Sequence, residues 1–346
     1  MDGVEAMIAF NDKGEQIDVD IDLGQHDRDL STLPQPQGTD EEKLRGLVDQ
    51  YAQMFAHGAR TSVLKRPTDV GMEYEEVQFP SKDGVPLEAW YIPAEGSDRL
   101  LVVNHPMTCN RYGFPGQLEP WHTELGVFGG FEVDFLTELR FLHDAGYNIL
   151  TYDLRNHGLS SDANGVTSGL GLIEARDVVG SLRYVRSRDD LAAMKLGLYS
   201  RCMGANSTIV AMDFWPEEFD GVQALVVLNT VSGKTFIEQG ARNIGLDPDT
   251  AREALAKKLA GLCGMRLDEE SPQLYAHAVK VPTFMAQLRH DFLIDAEKDG
   301  TEIFDAIGAK DKELFWIEGS NQRFFAYNYF GQHPEKLIDW FDSHLK

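Results

Sequence analysis

The strongest constraint in this chain is a repeated alternation between short, continuous apolar runs and longer amphipathic stretches. "RLLVVNHP", "NILTYD", "KLGLYS" and "ALVVLN" are runs of the first kind. Each is too short for a helix and has no polar alternate positions. Such runs suit strands buried on both faces of a parallel sheet. "FLTELRFLHDAG", "EARDVVGSLRYVRSR" and "ANSTIVAMDF" lie between them and place apolar residues at helical spacing. "VPTFMAQ" and "ELFWI" add two more strands, and "EKLIDWFDSHL" a closing helix. Regular alternation of this kind predicts an α/β fold with a mostly parallel sheet flanked by helices. Ahead of it, "YEEVQFPSKDGVPLEAWYIPA" reads as two strands joined by a Lys-Asp-Gly turn, a hairpin.

Three regions stand outside this rhythm. Residues 1–70 are expected to form an acidic arm followed by a helix. Thr39 and Glu42 make a capping box, Leu44, Leu47, Val48, Tyr51, Met54 and Phe55 share one face, and Gly58 is a stop. Residues 230–280 hold helices without a strand and are expected to be a lid inserted over the carboxyl ends of the strands. The core is then 71–229 together with 281–346. An arm of this length makes a homodimer an expected possibility.

The chain has 346 residues, 42% of them hydrophobic, and a formal net charge of −24. A polyanion repels phosphate backbones and anionic membranes, so neither nucleic acid nor a membrane is an expected partner. Cys109, Cys202 and Cys263 are too few and scattered for a disulfide framework, and no C-x-x-C pair suggests zinc. Free thiols and the lack of a signal-like N-terminus point to the cytoplasm. No metal or organic cofactor is implied.

The stretch "YSRCMGA", residues 199–205, falls where a strand runs into a helix. Small residues, Ser200 and Gly204, stand two before and two after Cys202. That is the pattern of a nucleophile elbow, in which strand and helix approach so closely that only small neighbours fit. The N-terminus of the following helix favours an anion at Cys202. A buried structural thiol is the alternative reading.

At this point the chain resembles the α/β-hydrolase superfamily over residues 75–346. "VVNHPMT", "YDLRNHGLS", the elbow and "VPTFMAQLRHD" occur in the order in which the superfamily places its oxyanion loop, structural turn, nucleophile and acid. A cysteine at the elbow is similar to dienelactone hydrolase-like enzymes. The resemblance implies Cys202 as nucleophile and Asp291 as the acid, with Asp295 as its alternative. It also implies an oxyanion hole from the backbone N–H groups of Met203 and Met107. His157 in the turn is expected to be structural.

The histidine of the triad is missing. Gln322 stands at its expected place, in "EGSNQRFFAYNYFGQHPE". His333, on a longer loop before the last helix, is the leading candidate base, with His290 and His105 as the others. A cysteine activated by the helix end alone is a further possibility. Arg201 and Arg323 lie near the expected site, as salt-bridged residues or as partners for a substrate carboxylate. Phe114, Trp121, Phe128, Phe131, Phe324, Phe325, Tyr327 and Tyr329 flank the site loops. The expected function is hydrolysis of a small or medium ester, lactone or thioester through a Cys202 acyl-enzyme. A lyase, cyclase or acyltransferase on the same fold is the alternative, as is a binding protein that lost its triad.

Overall fold

The computed structural model describes residues 4–10, 16–22, 27 and 35–346. About half of the expected acidic arm lies outside them. Within it, strands β1 (Val4–Phe10) and β2 (Gln16–Asp22) pair antiparallel, a hairpin in a segment whose weak patterning predicted none. Asp27 accepts hydrogen bonds from Ser320 Oγ (2.8 Å) and the Asn321 N–H (2.9 Å), which ties the arm to the loop after the last strand.

Helix α1 (Asp40–Ala56) begins at the expected capping box. Thr39 Oγ1 accepts from the Glu42 N–H at 3.3 Å, and Glu42 accepts from the Thr39 N–H at 2.8 Å. The hairpin follows as β3 (Glu75–Pro80) and β4 (Pro86–Ile92). Then come β5 (Arg99–Asn104), a short ribbon of β6 (Gly113–Pro115) and β7 (Glu132–Asp134) with the one-turn helix α2 (Trp121–Glu124) between them, α3 (Phe135–Asp144) and β8 (Asn148–Tyr152). Helix α4 (Ala175–Ser187), β9 (Lys195–Arg201), α5 (Met203–Phe214) and β10 (Val222–Leu228) continue the alternation. Helices α6 (Gly233–Asn243) and α7 (Pro248–Leu262) occupy the strandless region. The chain ends with β11 (Thr283–Leu288), α8 (Ala296–Ala306), β12 (Lys312–Ile317), the single turn α9 (Tyr329–Gln332) and α10 (Glu335–His344).

Eight strands form one sheet in the order β12-β11-β10-β9-β5-β8-β4-β3. Only β4 runs against its neighbours; β5, β8, β9, β10, β11 and β12 pair parallel. Strands β8 and β11 are buried at every residue, which is why their sequences show no polar alternation. From β5 the chain steps outward to β8, then returns to place β9 on the other side of β5. This reversal opens a crevice at the carboxyl ends of β5 and β9, where open α/β sheets bind their ligands.

The N-terminal helix does not stand apart from the core. Phe55 meets Phe236 of α6 edge-on with ring centroids 6.3 Å apart, and Lys258 of α7 pairs with Asp49 at 2.9 Å. Helices α1, α6 and α7 thus pack as a unit.

Where α5 leaves β9 the backbone is tight. A Cβ on Gly204 would lie 2.7 Å from Asn104 Cβ and 2.8 Å from the His105 carbonyl oxygen. Gly204→Ala is therefore expected to cost about 1–3 kcal/mol, read as a lowered urea midpoint with an unchanged m-value. A midpoint equal to wild type would show that α5 is free to withdraw from β5.

Candidate active site

Cys202 is the residue between β9 and α5, with φ 48° and ψ −113°. A non-glycine residue at positive φ is strained, and such strain persists only where the surroundings fix it. Here the Cys202 N–H donates to the Leu228 carbonyl at 2.8 Å, and its carbonyl accepts the first helical bond from Asn206 at 2.8 Å. Ser200 Oγ, Thr208 Oγ1 and Asn104 Nδ2 form a buried triangle with 2.9–3.0 Å sides that locks β9, α5 and β5 together. The turn thus has the geometry of an elbow that points Cys202 into the crevice, at only 6% exposure.

Arg323, not a histidine, stands between Cys202 and Asp291. Its Nη2 lies 3.7 Å from the Cys202 sulfur and its Nη1 2.7 Å from Asp291 Oδ2. Nη2 also donates to the Asn229 carbonyl. The Asp291 carboxylate takes a second bond, from the Leu293 N–H at 2.9 Å. Both side chains are buried, at 0% and 2% exposure for Asp291 and Arg323. Burial works against the charge of Arg323, but Tyr327, Cys202 and Asp291 around it outweigh burial and hold the guanidinium firmly protonated. Burial pushes the Asp291 carboxyl upward, with Arg323 pulling the other way.

The sequence-based candidates for the base lie elsewhere. His333 caps α9 and its ring rests on Tyr329, with centroids 4.7 Å apart. The exposed His290 faces Glu318 at 3.6 Å. Both ring nitrogens of His105 are engaged: Nδ1 lies 2.7 Å from the Pro106 carbonyl, and Nε2 accepts from the Leu154 N–H at 2.9 Å. That pattern fixes a neutral tautomer with the proton on Nδ1, and burial lowers its pKa to about 4. It braces the loop instead of facing Cys202. His157 packs against it, 5.1 Å between centroids, and bonds the Arg155 carbonyl. Gln322 is buried beside Arg323, and Asp295 caps α8 through the Lys298 N–H. The side chain that reaches Cys202 belongs to Arg323, one residue beyond the expected histidine position.

The two expected oxyanion donors lie on two segments, the start of α5 and the loop after β5. Met203 opens α5, and Met107 lines the same cavity as Cys202. Among the described residues no hydrogen bond engages either backbone N–H. Arg201 is not in the site: it is fully buried, 2.9 Å from Glu138, and packs on Tyr199 and Phe135.

Cys202 opens onto a cavity of about 50 Å³. The core supplies Met107, Phe128, Leu293, Phe324 and Tyr327; α1 supplies Tyr51 and Met54, and α6 supplies Phe236. Phe128 and Phe324 stack at 4.3 Å, and Phe114 meets Phe324 edge-on at 5.2 Å. Of the aromatics named from sequence, Phe128, Phe324 and Tyr327 reach the cavity. Tyr51, Met54 and Phe236 were missed, because helical spacing marks a buried face without saying what it covers. Among the described residues no group of three His, Cys, Asp or Glu side chains is placed to hold a metal, and no helix is long and apolar enough to cross a membrane.

No family model matches the chain. The uncharacterized protein YfhR of Escherichia coli O157:H7 is 23% identical over 166 residues, 47% of this chain. The match spans about half (49%) of that curated relative's length. Solved structures align far more completely. The esterase Pf2001 of Pyrococcus furiosus superposes with a TM-score of 0.61 at 18% identity, covering 84% of this chain and 99% of its own. The acetyl xylan esterase of Paenibacillus sp. R4 gives 0.57 at 15% identity, over 91% of this chain and 98% of its own. The α/β hydrolase GrgF of Penicillium sp. sh18 gives 0.54 at 15%, over 79% and 99%. The chain has the α/β-hydrolase fold. At these identities the likeness fixes the architecture and leaves the chemistry to the residues of this site.

Two outcomes follow from the geometry. Asp291→Asn leaves the Arg323 charge buried without its partner, and is expected to lower unfolding free energy by about 3–5 kcal/mol in urea titrations. A change under about 1 kcal/mol would mean that the pair is dispensable. His105 titrates at 6.5 when unperturbed and at about 4 in the folded chain. The unfolded chain therefore binds more protons between those values, and stability falls as pH drops through that window, by on the order of 3 kcal/mol. Asp177, raised to about 6 by burial, opposes that slope. The His105 contribution is isolated by comparing wild type with His105→Asn, whose stability should fall less between pH 7 and pH 4.5; parallel curves would contradict the assignment.

Proposed function

We propose that the protein is an acyl-transfer enzyme acting on a neutral, largely apolar ester, lactone or thioester through a thioester on Cys202. The observation that carries this reading is the fixed guanidinium of Arg323 beside the strained Cys202 elbow. Arginine does not give up its proton in proteins, so it cannot act as the general base of a serine-type triad. It can serve as the counter-ion of a thiolate, a role useful to cysteine and useless to serine. Replacement of histidine by arginine and of serine by cysteine then belong together. Asp291 neutralises and orients Arg323, as the acid of a triad orients its histidine.

The supporting geometry covers the rest of the reaction. Thiolate attack on the acyl carbon places negative charge on the carbonyl oxygen, and the N–H groups of Met203 and Met107 are the donors for it. Nothing in the cavity wall offers a second cation for a substrate carboxylate, since Arg323 is engaged by Asp291 and the Asn229 carbonyl. A neutral acyl group meets Met54, Met107, Phe128, Phe236, Leu293 and Phe324 instead. The present cavity holds a few waters, far less than the ~300 Å³ or more that enclose an organic ligand. Substrate entry thus requires α6, in the 230–280 segment expected as a lid, and α1 of the N-terminal segment to separate from the Phe128–Phe324 wall. Hydrolysis is the simplest outcome. Among the described residues no histidine lines the cavity with Cys202, which favours a second outcome, transfer of the acyl group to an acceptor other than water.

Incubation with p-nitrophenyl butyrate is expected to add one butyryl group at Cys202 and none at Cys109 or Cys263, read by mass spectrometry of peptides. Cys202→Ser should form no adduct. Arg323→Gln should slow its formation by about 10²–10³-fold. Failure of wild type to acquire the adduct, or an adduct formed equally fast by Cys202→Ser, would overturn the proposal.

A further inference from the structure

A site that loses its histidine loses more than a base for the nucleophile. Two protons still have to move in any ester turnover. The departing alcohol must receive one, and the incoming acceptor must surrender one. Arg323 can do neither. Asp291 is held by Arg323 and the Leu293 N–H on the far side of the guanidinium from the sulfur.

Two phenols, Tyr51 and Tyr327, line the cavity with Cys202 and Arg323, and Tyr327 is the one that interacts with the sulfur. It lies in the loop after β12, four residues beyond Arg323, and is 1% exposed. Its ring is fixed edge-on against Phe324, 5.3 Å between centroids. Its hydroxyl is buried, has no hydrogen bond of full geometry among the described residues, and interacts with the Cys202 thiol. A buried hydroxyl without a well-formed partner costs on the order of 1–3 kcal/mol, so its retention beside Phe128, Phe236, Leu293 and Phe324 calls for a reason. Tyr51, the other phenol of the cavity, senses Asp291 instead of the sulfur.

We propose that Tyr327 is the proton carrier of this site: its hydroxyl protonates the leaving group when Cys202 is acylated, and takes a proton from the acceptor when the thioester is resolved. The proposal rests on the acyl-enzyme reading given above. In the first half, the Cys202 thiolate attacks the acyl carbon, the S–C bond forms, and the carbonyl electron pair moves onto oxygen. As that pair returns, the ester C–O bond breaks and the departing oxygen takes the Tyr327 proton. The products are a thioester, a free alcohol and a Tyr327 phenolate. In the second half, water or an alcohol gives its proton to the phenolate while its oxygen attacks the thioester. The C–S bond breaks and the thiolate returns. One negative charge is thus passed between Cys202 and Tyr327, and Arg323 is beside it throughout.

The electrostatics agree with that exchange. In the resting site burial pushes the phenol well above its ordinary value; Arg323 pulls it down and Cys202 pushes it up. Acylation removes the Cys202 contribution and leaves the pull of Arg323, so the phenol becomes a better acid when it must donate.

The test compares two leaving groups. With p-nitrophenyl butyrate, whose nitrophenolate departs without a proton, Tyr327→Phe should acylate Cys202 within about 3-fold of wild type. With ethyl butyrate, acylation by the same variant should fall at least about 100-fold, and the butyryl-enzyme should decay correspondingly slowly. A Tyr327→Phe enzyme that acylates from the ethyl ester as fast as wild type would overturn the proposal while leaving the acyl-enzyme intact. So would a wild type that reacts with the nitrophenyl ester alone. Placing 3-fluorotyrosine at position 327, which preserves packing and acidifies the phenol, should move the ethyl-ester pH profile to lower pH; an unmoved profile would also overturn it. A wild type that forms no adduct from either ester removes the underlying reading as well.

Discussion

The buried ion pair of Arg323 and Asp291 is the interaction on which the rest of the site depends. Two charges withdrawn from water carry a desolvation penalty of several kcal/mol each. Their 2.7 Å contact repays it with the help of further bonds to both partners, although Arg323 Nε itself has no partner among the described residues. The Asn229 carbonyl takes the second guanidinium nitrogen, the Asn229 side chain returns to the Arg323 carbonyl at 3.4 Å, and its oxygen accepts from the Leu288 N–H at 2.8 Å. The pair thus stitches the ends of β10 and β11 to the loop after β12. A cation held this way does not rotate toward solvent when a substrate arrives. It is a fixed charge beside a sulfur, and a preorganised charge stabilises an anion without reorganisation at the moment of reaction.

The second constraint is positional. The reversal of strand order at β5 leaves a crevice at one end of the sheet, and the elbow sets Cys202 into it. Positive φ at Cys202 and the missing Cβ at Gly204 are two sides of one requirement: α5 must start within van der Waals contact of the loop that follows β5. That loop carries Met107 and is braced from behind by His105, whose burial keeps it neutral. The strain at Cys202, the positions of Met203 and Met107 and the neutral histidine are therefore parts of a single packing arrangement.

The sequence made much of this visible and concealed the rest for identifiable reasons. Strands β5, β8, β9 and β10 announce themselves because burial on both faces removes polar residues. The elbow and the capping box of α1 are short local motifs whose geometry depends on near neighbours. Arg323 was hidden because the loop from Ile317 to Tyr329 has no repeating pattern. A shift of one residue there decides whether Gln322 or Arg323 faces the sulfur, and contacts with Asp291 and Asn229, distant in sequence, set that register. His333 attracted attention as a histidine near the expected place, but its position is set by the turn of α9 and by Tyr329. The apolar face of α1 was legible as a buried face. That it covers the cavity of Cys202, through Tyr51 and Met54, is a property of tertiary packing alone.

Histidine serves an esterase site by changing its charge twice in a turnover. Arginine keeps its charge at every stage, and the Asp291 carboxylate, 2.7 Å away, is the anion that compensates it at every stage. On the acyl-enzyme reading proposed above, the negative charge of a thiolate is then an excess one in a small, largely apolar cavity, where an excess charge is expensive. It is tolerable where it stays beside the guanidinium, whether on the sulfur or on a second group as the sulfur gives it up. That electrostatic requirement, more than the absence of a histidine, separates this reading from a triad and ties its chemistry to the side chains packed around Arg323.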